Sequence, residues 1–168
     1  MPLEAYLCSR RQPKENNELI VNTPQQTFRA ALGQFFVKET STENLAAARS
    51  LIERSETAGA DLLVLPECII ARRLGMPDWG QKHAEPLDGP FVSGLREATR
   101  GRRVTVVCTV QAKIANESRY ANDLLVIQNG ELRLTYQKIH LYDAFRGKES
   151  SYAAPGDVLP QVLQIGPF

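Results

Sequence analysis

The sequence lacks most of the patterns that announce a metal, disulfide or nucleotide site. Its three cysteines, Cys8, Cys68 and Cys108, are odd in number and widely spaced, and no CxxC pair occurs. That argues against both a disulfide framework and a structural zinc site. The two histidines, His83 and His140, stand far apart and read as surface or hydrogen-bonded residues rather than metal ligands. There is no HExxH, no G-x-S-x-G elbow and no phosphate-cradling glycine loop. No apolar run approaches the roughly 20 residues that a membrane span needs. The first 19 residues lack the apolar centre of a secretory signal, so the cytoplasm is the expected location. Charge of one sign is also missing. Twenty Lys and Arg against nineteen Asp and Glu leave a net +1, which points to neither a nucleic-acid nor a membrane partner.

What remains is the composition of a folded domain. The 168 residues are 43% hydrophobic and 23% charged, enough for one domain with a real core. Residues 1–28 differ from the rest. Pro2, Pro13 and Pro24 and many Asn, Gln, Lys and Glu residues predict a poorly ordered leader, with the domain beginning near Arg29. "RAALGQFFV" (29–37) predicts a buried strand. Ser41 or Thr42 is placed to cap a following helix with Leu45, Ala48 and Ile52 on one face, and Gly59 to stop it. "ADLLVLP" (60–66) reads as a strand covered on both faces. Residues 71–89 read as a long loop, and Pro90 opens a second helix. "RVTVVCTVQA" (103–112) predicts a strand. Residues 122–138 predict a hairpin turned by Asn129-Gly130, and "DVLPQVLQI" another strand. The order predicts an α/β domain with a mixed sheet.

Three residues stand out chemically. Glu67 ends an apolar strand, where ligand crevices open in α/β sheets, and one apolar wall would raise its pKa toward that of a general base. On the local pattern alone, a solvent-facing glutamate starting a loop is the favoured reading. Lys138, in "YQKIHLYDAF", either stabilises a developing oxyanion or guards a sheet edge. Glu149, in "GKESSYAAPGD", either steadies one of these two or is a solvated loop charge.

Taken together, "RAALGQF", "ADLLVLPE", "YANDLLVIQNGEL", "YQKIHLYD" and "ESSYAAPGD" resemble the carbon–nitrogen hydrolase (nitrilase) family over about residues 29–168. The run "KIHLYDAF" with "ES" soon after is most similar to the deaminated glutathione amidase branch. The resemblance implies the N-terminal half of an αββα sandwich, a mixed sheet with helices on one face. It implies amidase chemistry on a small-molecule amide, through a cysteine thioester and without metal or organic cofactor. Glu67 would be the base, Lys138 the ligand of the tetrahedral intermediate and Glu149 the supporting glutamate. A homodimer is the assembly implied. The family's nucleophilic cysteine lies in a strand after the lysine, and no cysteine follows Lys138 here. Residues 29–168 are therefore expected to be a partial domain, truncated before the nucleophile strand and inactive alone. The alternative is a non-catalytic binding module derived from the hydrolase fold. Cys68, adjacent to Glu67, is expected to face away from it if strand geometry persists. Cys108 is expected to be a buried, inert thiol.

Overall fold

The computed structural model describes residues 5–8 (backbone only), 27–145 and 147–166. The leader therefore lies largely outside the described residues. Within it, a strand not anticipated from the sequence, β1 (Ala5–Cys8), pairs antiparallel with β2 (Ala30–Gly33), Ala5 opposite Gly33. Then follow α1 (Ser41–Thr57), β3 (Leu62–Val64), a single turn α2 (Trp79–Lys82), α3 (Pro90–Thr99), β4 (Thr105–Lys113), β5 (Tyr120–Gln128) and β6 (Glu131–Gln137). A 3₁₀ turn at Glu149–Ser151 leads into β7 (Ala153–Ala154). Among the described residues one mixed sheet runs in the order β1-β2-β3-β4-β5-β6, with β7 alongside β5. β2, β3 and β4 are mutually parallel, connected through α1 and α3, and β4-β5-β6 form an antiparallel meander. No described helix is long and apolar enough to cross a membrane.

The two long helices pack against each other and the same side of the sheet. Ala48, Leu51 and Ile52 of α1 and Phe91, Val92 and Leu95 of α3 meet Leu63, Val106, Cys108, Val110, Leu125 and Ile127 in one core, all at most 1% exposed. The opposite sheet face stays more open, with Leu32 46% exposed.

Several element ends depart from expectation for identifiable reasons. Thr40, not Ser41 or Thr42, caps α1. Its hydroxyl accepts the Glu43 N–H and donates to the Glu43 carboxylate at 2.6 Å, a reciprocal capping arrangement. Gly59 ends α1 with a φ of 67°. The strand predicted over 29–37 stops at Gly33. A little further on, the Asn44 side chain takes both Lys38 backbone groups, accepting from its N–H at 2.8 Å and donating to its carbonyl at 2.9 Å. No strand forms over 157–165. Pro160 interrupts the segment, and Val158, Leu159 and Val162 stand 72–100% exposed with no strand beside them among the described residues.

The Asn129-Gly130 turn forms as predicted, with both residues at positive φ (48° and 80°). It is also fastened to the end of α3. Asn129 Oδ1 accepts the Gly101 N–H (2.8 Å), Thr99 Oγ1 accepts the Gly130 N–H (3.1 Å), and Arg96 Nε donates to the Gly130 carbonyl (2.9 Å).

α3 packs tightly on α1 at Gly94, where an added Cβ would lie 2.5 Å from a Leu45 methyl. Gly94→Val is expected to cost about 1–3 kcal/mol through overpacking, despite a better helix former. Urea denaturation would reveal this as a lower midpoint at unchanged slope.

Candidate active site

The site begins where β3 ends. Leu65 N–H still bonds to Val107 O across to β4 (2.8 Å), but Pro66 and then Cys68, at φ 55°, turn the chain out of the sheet. A left-handed cysteine is strained, and side chains from β4 hold it. Thr109 Oγ1 accepts the Cys68 N–H at 2.7 Å. The Gln111 amide accepts from Ile70 N–H (3.1 Å) and donates to the carbonyls of Cys68 (3.0 Å) and Ala71 (2.9 Å). Asn44, fully buried on α1, donates to Ile70 O at 2.9 Å. Every strap satisfies a backbone group that has left the ladder.

Lys138 follows β6 directly. Its N–H donates to Asn122 O and its carbonyl accepts from Gly156 N–H, both at 2.9 Å, so the side chain leaves from a fixed backbone. Glu149, on the 3₁₀ turn, exchanges bonds with Tyr142. It donates its N–H to Tyr142 O (3.1 Å), and its carboxylate accepts Tyr142 N–H (2.6 Å).

These segments bring the three sequence candidates together. Lys138 Nζ lies 3.2 Å from Glu67 Oε1 and 3.0 Å from Glu149 Oε2. Asn122, 2% exposed on β5, donates Nδ2 to Glu67 Oε1 at 2.8 Å and approaches Glu149 Oε1 at 3.4 Å. One ammonium and one amide thus bind two carboxylates, at the floor of a cavity of about 440 Å³ also lined by Arg72, Trp79, Tyr120 and Tyr142.

Asn122, Gln111 and Asn44 were missed by sequence reasoning. The available signal was polar residues inside otherwise apolar strands, since a buried amide must have partners.

The electrostatics correct one expectation. Partial burial pushes the Glu67 pKa up, but the Asn122 amide and the Lys138 ammonium, helped by Arg72, outweigh it and hold the carboxyl below its ordinary value. Glu67 is therefore ionised at neutral pH. Burial pulls Lys138 down, but its bonds to Glu149 and Glu67 outweigh this and raise it.

Cys68 also departs from expectation. Strand alternation does not persist past Val64, and Cys68 lines the same cavity as Glu67. Its thiol is pushed up to about 12, by burial first and then by the Glu67 and Glu149 charges, so it stays protonated at neutral pH. Cys108, 1% exposed in the core, is likewise pushed up to about 12 by burial. Among the described residues no cluster of three His, Cys, Asp or Glu side chains could hold a metal ion.

A mixed sheet with both long helices on one face thus carries a lysine bridging two glutamates where its strands give way to loops. A family model described as carbon-nitrogen hydrolase matches residues 29–168, and the chain belongs to that family. It is 31% identical over 135 residues to the deaminated glutathione amidase of Escherichia coli O157:H7, covering 80% of this chain and 51% of that one. It is 29% identical over 138 residues to the omega-amidase NIT2 of Mus musculus, covering 78% and 49%. Among solved structures, the CN-hydrolase superfamily protein XC1258 of Xanthomonas campestris aligns with a TM-score of 0.65 at 26% identity, over 78% of this chain and 47% of that one. The NitN amidase of Nesterenkonia sp. AN1 aligns with a TM-score of 0.68 at 25% identity, over 83% and 53%. The chain spans about half the length of the curated relatives it matches.

Two outcomes follow from the site. Asn122→Asp would set a third carboxylate around one ammonium. It is expected to cost about 1–3 kcal/mol at pH 7, with the cost shrinking toward acid pH as the carboxyls protonate, measured by denaturation at several pH values. The neighbouring Asp123 points to the opposite face, 6% exposed, and burial raises its pKa to about 6. A raised acid favours its protonated form, so its contribution is complete below the unfolded value near 4. It is lost as pH rises through about 6. Asp123→Asn is expected to remove a decline of about 2–3 kcal/mol between pH 4 and 7, visible in urea midpoints.

Proposed function

We propose that this chain carries the acid–base half of an amidase-type carbon–nitrogen hydrolase acting on a small-molecule amide. The observation that carries the reading is the Lys138 ammonium hydrogen-bonded at once to Glu67 and Glu149. In this reading Glu67 accepts the proton of a cysteine thiol. The thiolate adds to the amide carbon, and Lys138 stabilises the oxyanion that forms. The intermediate collapses to a thioester, with the proton on Glu67 passing to the departing nitrogen, which leaves as ammonia. Water, deprotonated by Glu67, then releases the acid and restores the thiol. Glu149 keeps Lys138 charged and aimed. Glu67 is ionised at neutral pH, the state in which a base can accept, and its lowered pKa makes it a weaker base than an ordinary carboxylate.

Neither described thiol suits the nucleophile, since both are pushed up to about 12. The reading therefore assigns the nucleophile to a segment outside residues 1–168 and holds this chain inactive by itself. The expected homodimer and cytoplasmic location belong to the same reading. The high thiol pKa values also favour the second reading, a non-catalytic binding module.

The test joins residues 1–168 to the second half of the Escherichia coli relative and measures ammonia release from an amide. The expected result is no turnover by the chain alone and turnover by a folded chimera. Glu67→Gln in the chimera should lower kcat by about 10²–10⁴, and Lys138→Ala by about 10²–10³. A folded chimera indifferent to Glu67→Gln would sink the proposal. Ammonia from the chain alone, abolished by Cys68→Ser, would reassign the nucleophile. A folded chimera without turnover favours the binding module.

A further inference from the structure

The two glutamates offer four oxygens to one ammonium and one amide, and the four are unequally occupied. Both oxygens of Glu149 are taken. Its Oε1 lies 3.2 Å from Lys138 Nζ and 3.4 Å from Asn122 Nδ2, and its Oε2 accepts Lys138 Nζ at 3.0 Å and Tyr142 N–H at 2.6 Å. The Glu149 side chain is only 10% exposed. On Glu67 both donors converge on Oε1, Asn122 Nδ2 at 2.8 Å and Lys138 Nζ at 3.2 Å. Glu67 Oε2 accepts no hydrogen bond among the described residues, and the side chain is 61% exposed and lines the cavity.

Lys138 alone does not select between those oxygens. An ammonium on a flexible stem carries three rotatable donors, and either oxygen of Glu67 satisfies it. The Asn122 donor is directional and comes from a fixed place. Asn122 is 2% exposed in β5, opposite Gln111 of β4, and its carbonyl accepts the Lys138 N–H at 2.9 Å. Its side-chain neighbours are carboxylates paired with Lys138, which accept rather than donate, so the amide nitrogen must face them. Glu67 is gripped by one oxygen and the other is left free.

We propose that Asn122 is a positioning residue that holds Glu67 by Oε1 and leaves Oε2 as the oxygen through which protons pass. This rests on the amidase reading of the site. In the first half-reaction the thiol proton goes to Oε2 and from there to the departing nitrogen, while sulfur bonds to the amide carbon. In the second, a water proton goes to Oε2 and returns to sulfur as the thioester breaks. Asn122 and Lys138 gain and lose no proton. Glu149, with both oxygens occupied, does not substitute for Glu67 in this role.

In the unaltered 168-residue chain, NMR would follow the Asn122 side-chain amide and the Glu67 carboxyl as pH falls. The Asn122 protons are expected to stay hydrogen-bonded through the Glu67 titration, since a proton on Oε2 leaves Oε1 an acceptor. Loss of that bond at the Glu67 midpoint would put the proton on Oε1 and overturn the assignment, with the amidase reading left standing. A second experiment uses the chimera with the Escherichia coli half. Burial pushes the Glu67 pKa up, and the Asn122 bond and then Lys138 hold it down, so Asn122→Leu should move the acid limb of the kcat profile to higher pH. Because Asn122 also positions Glu67, the plateau above that limb should stay about ten- to a hundredfold below that of the unaltered chimera, with KM changed by less than about twofold. The smaller Asn122→Ser should behave alike, and serves where the leucine variant fails to fold. A plateau that recovers fully would show that Asn122 sets only the charge of Glu67 and would overturn the positioning role. A folded chimera whose turnover ignores Glu67→Gln would overturn both readings.

Discussion

The ammonium of Lys138 between two carboxylates is the contact on which the arrangement of this end of the molecule depends. Glu67 comes from the loop after β3 and Glu149 from a 3₁₀ turn far along the chain. Two carboxylates reaching the same nitrogen would repel one another if it were absent, and one would be driven toward protonation. With Lys138 and the Asn122 amide present, Glu67 is held ionised, and segments far apart in the sequence converge on one point. Burial first, and then the two carboxylates, keep the nearby Cys68 thiol protonated. The site thus holds Glu67 ionised and its own resident thiol protonated.

Buried amides do the quieter structural part. Gln111, 3% exposed, commits its side-chain oxygen and both amide hydrogens to the loop that presents Glu67, and Asn44 links that loop to α1 and to Lys38 in the segment after β2. Each occupies backbone groups that would otherwise be unpaired in a low-dielectric setting, where a lost partner costs about 1–3 kcal/mol. The loop that presents Glu67 is consequently a continuation of the core in hydrogen-bonding terms, although it belongs to no strand.

The parts of the fold legible in the sequence are those set by local chemistry. Pro90 opened a helix, Gly59 closed one, and Asn129-Gly130 made a turn, because each demands a particular backbone conformation. Glu67, Lys138 and Glu149 were legible as a set through family resemblance, not through spacing. What stayed hidden required knowledge of neighbours. Thr40 caps α1 through a reciprocal bond with Glu43, Val158 to Val162 look strand-like yet have no strand beside them among the described residues, and Cys68 leaves strand geometry because Thr109 and Gln111 can hold it there. Asn122 was hidden for the same reason, since its partners come from three separate segments.

The fastening of the Asn129-Gly130 turn to the end of α3 has a consequence at the other end of the hairpin. Asn122 and Asp123 are adjacent on β5 and point to opposite faces, one toward the Glu67–Lys138 pair and the other toward the helical side. A slip of one residue would exchange them, placing an acid where the two glutamates need a donor. The bonds from Thr99, Arg96 and Gly101 fix the phase of the strand roughly 24 Å away, at about 3.4 Å per residue, and so decide which chemical group meets the lysine. The hairpin tip sets the alignment of the site as a pin sets a rule, and an insertion there would change the charge of the site without altering any residue in it.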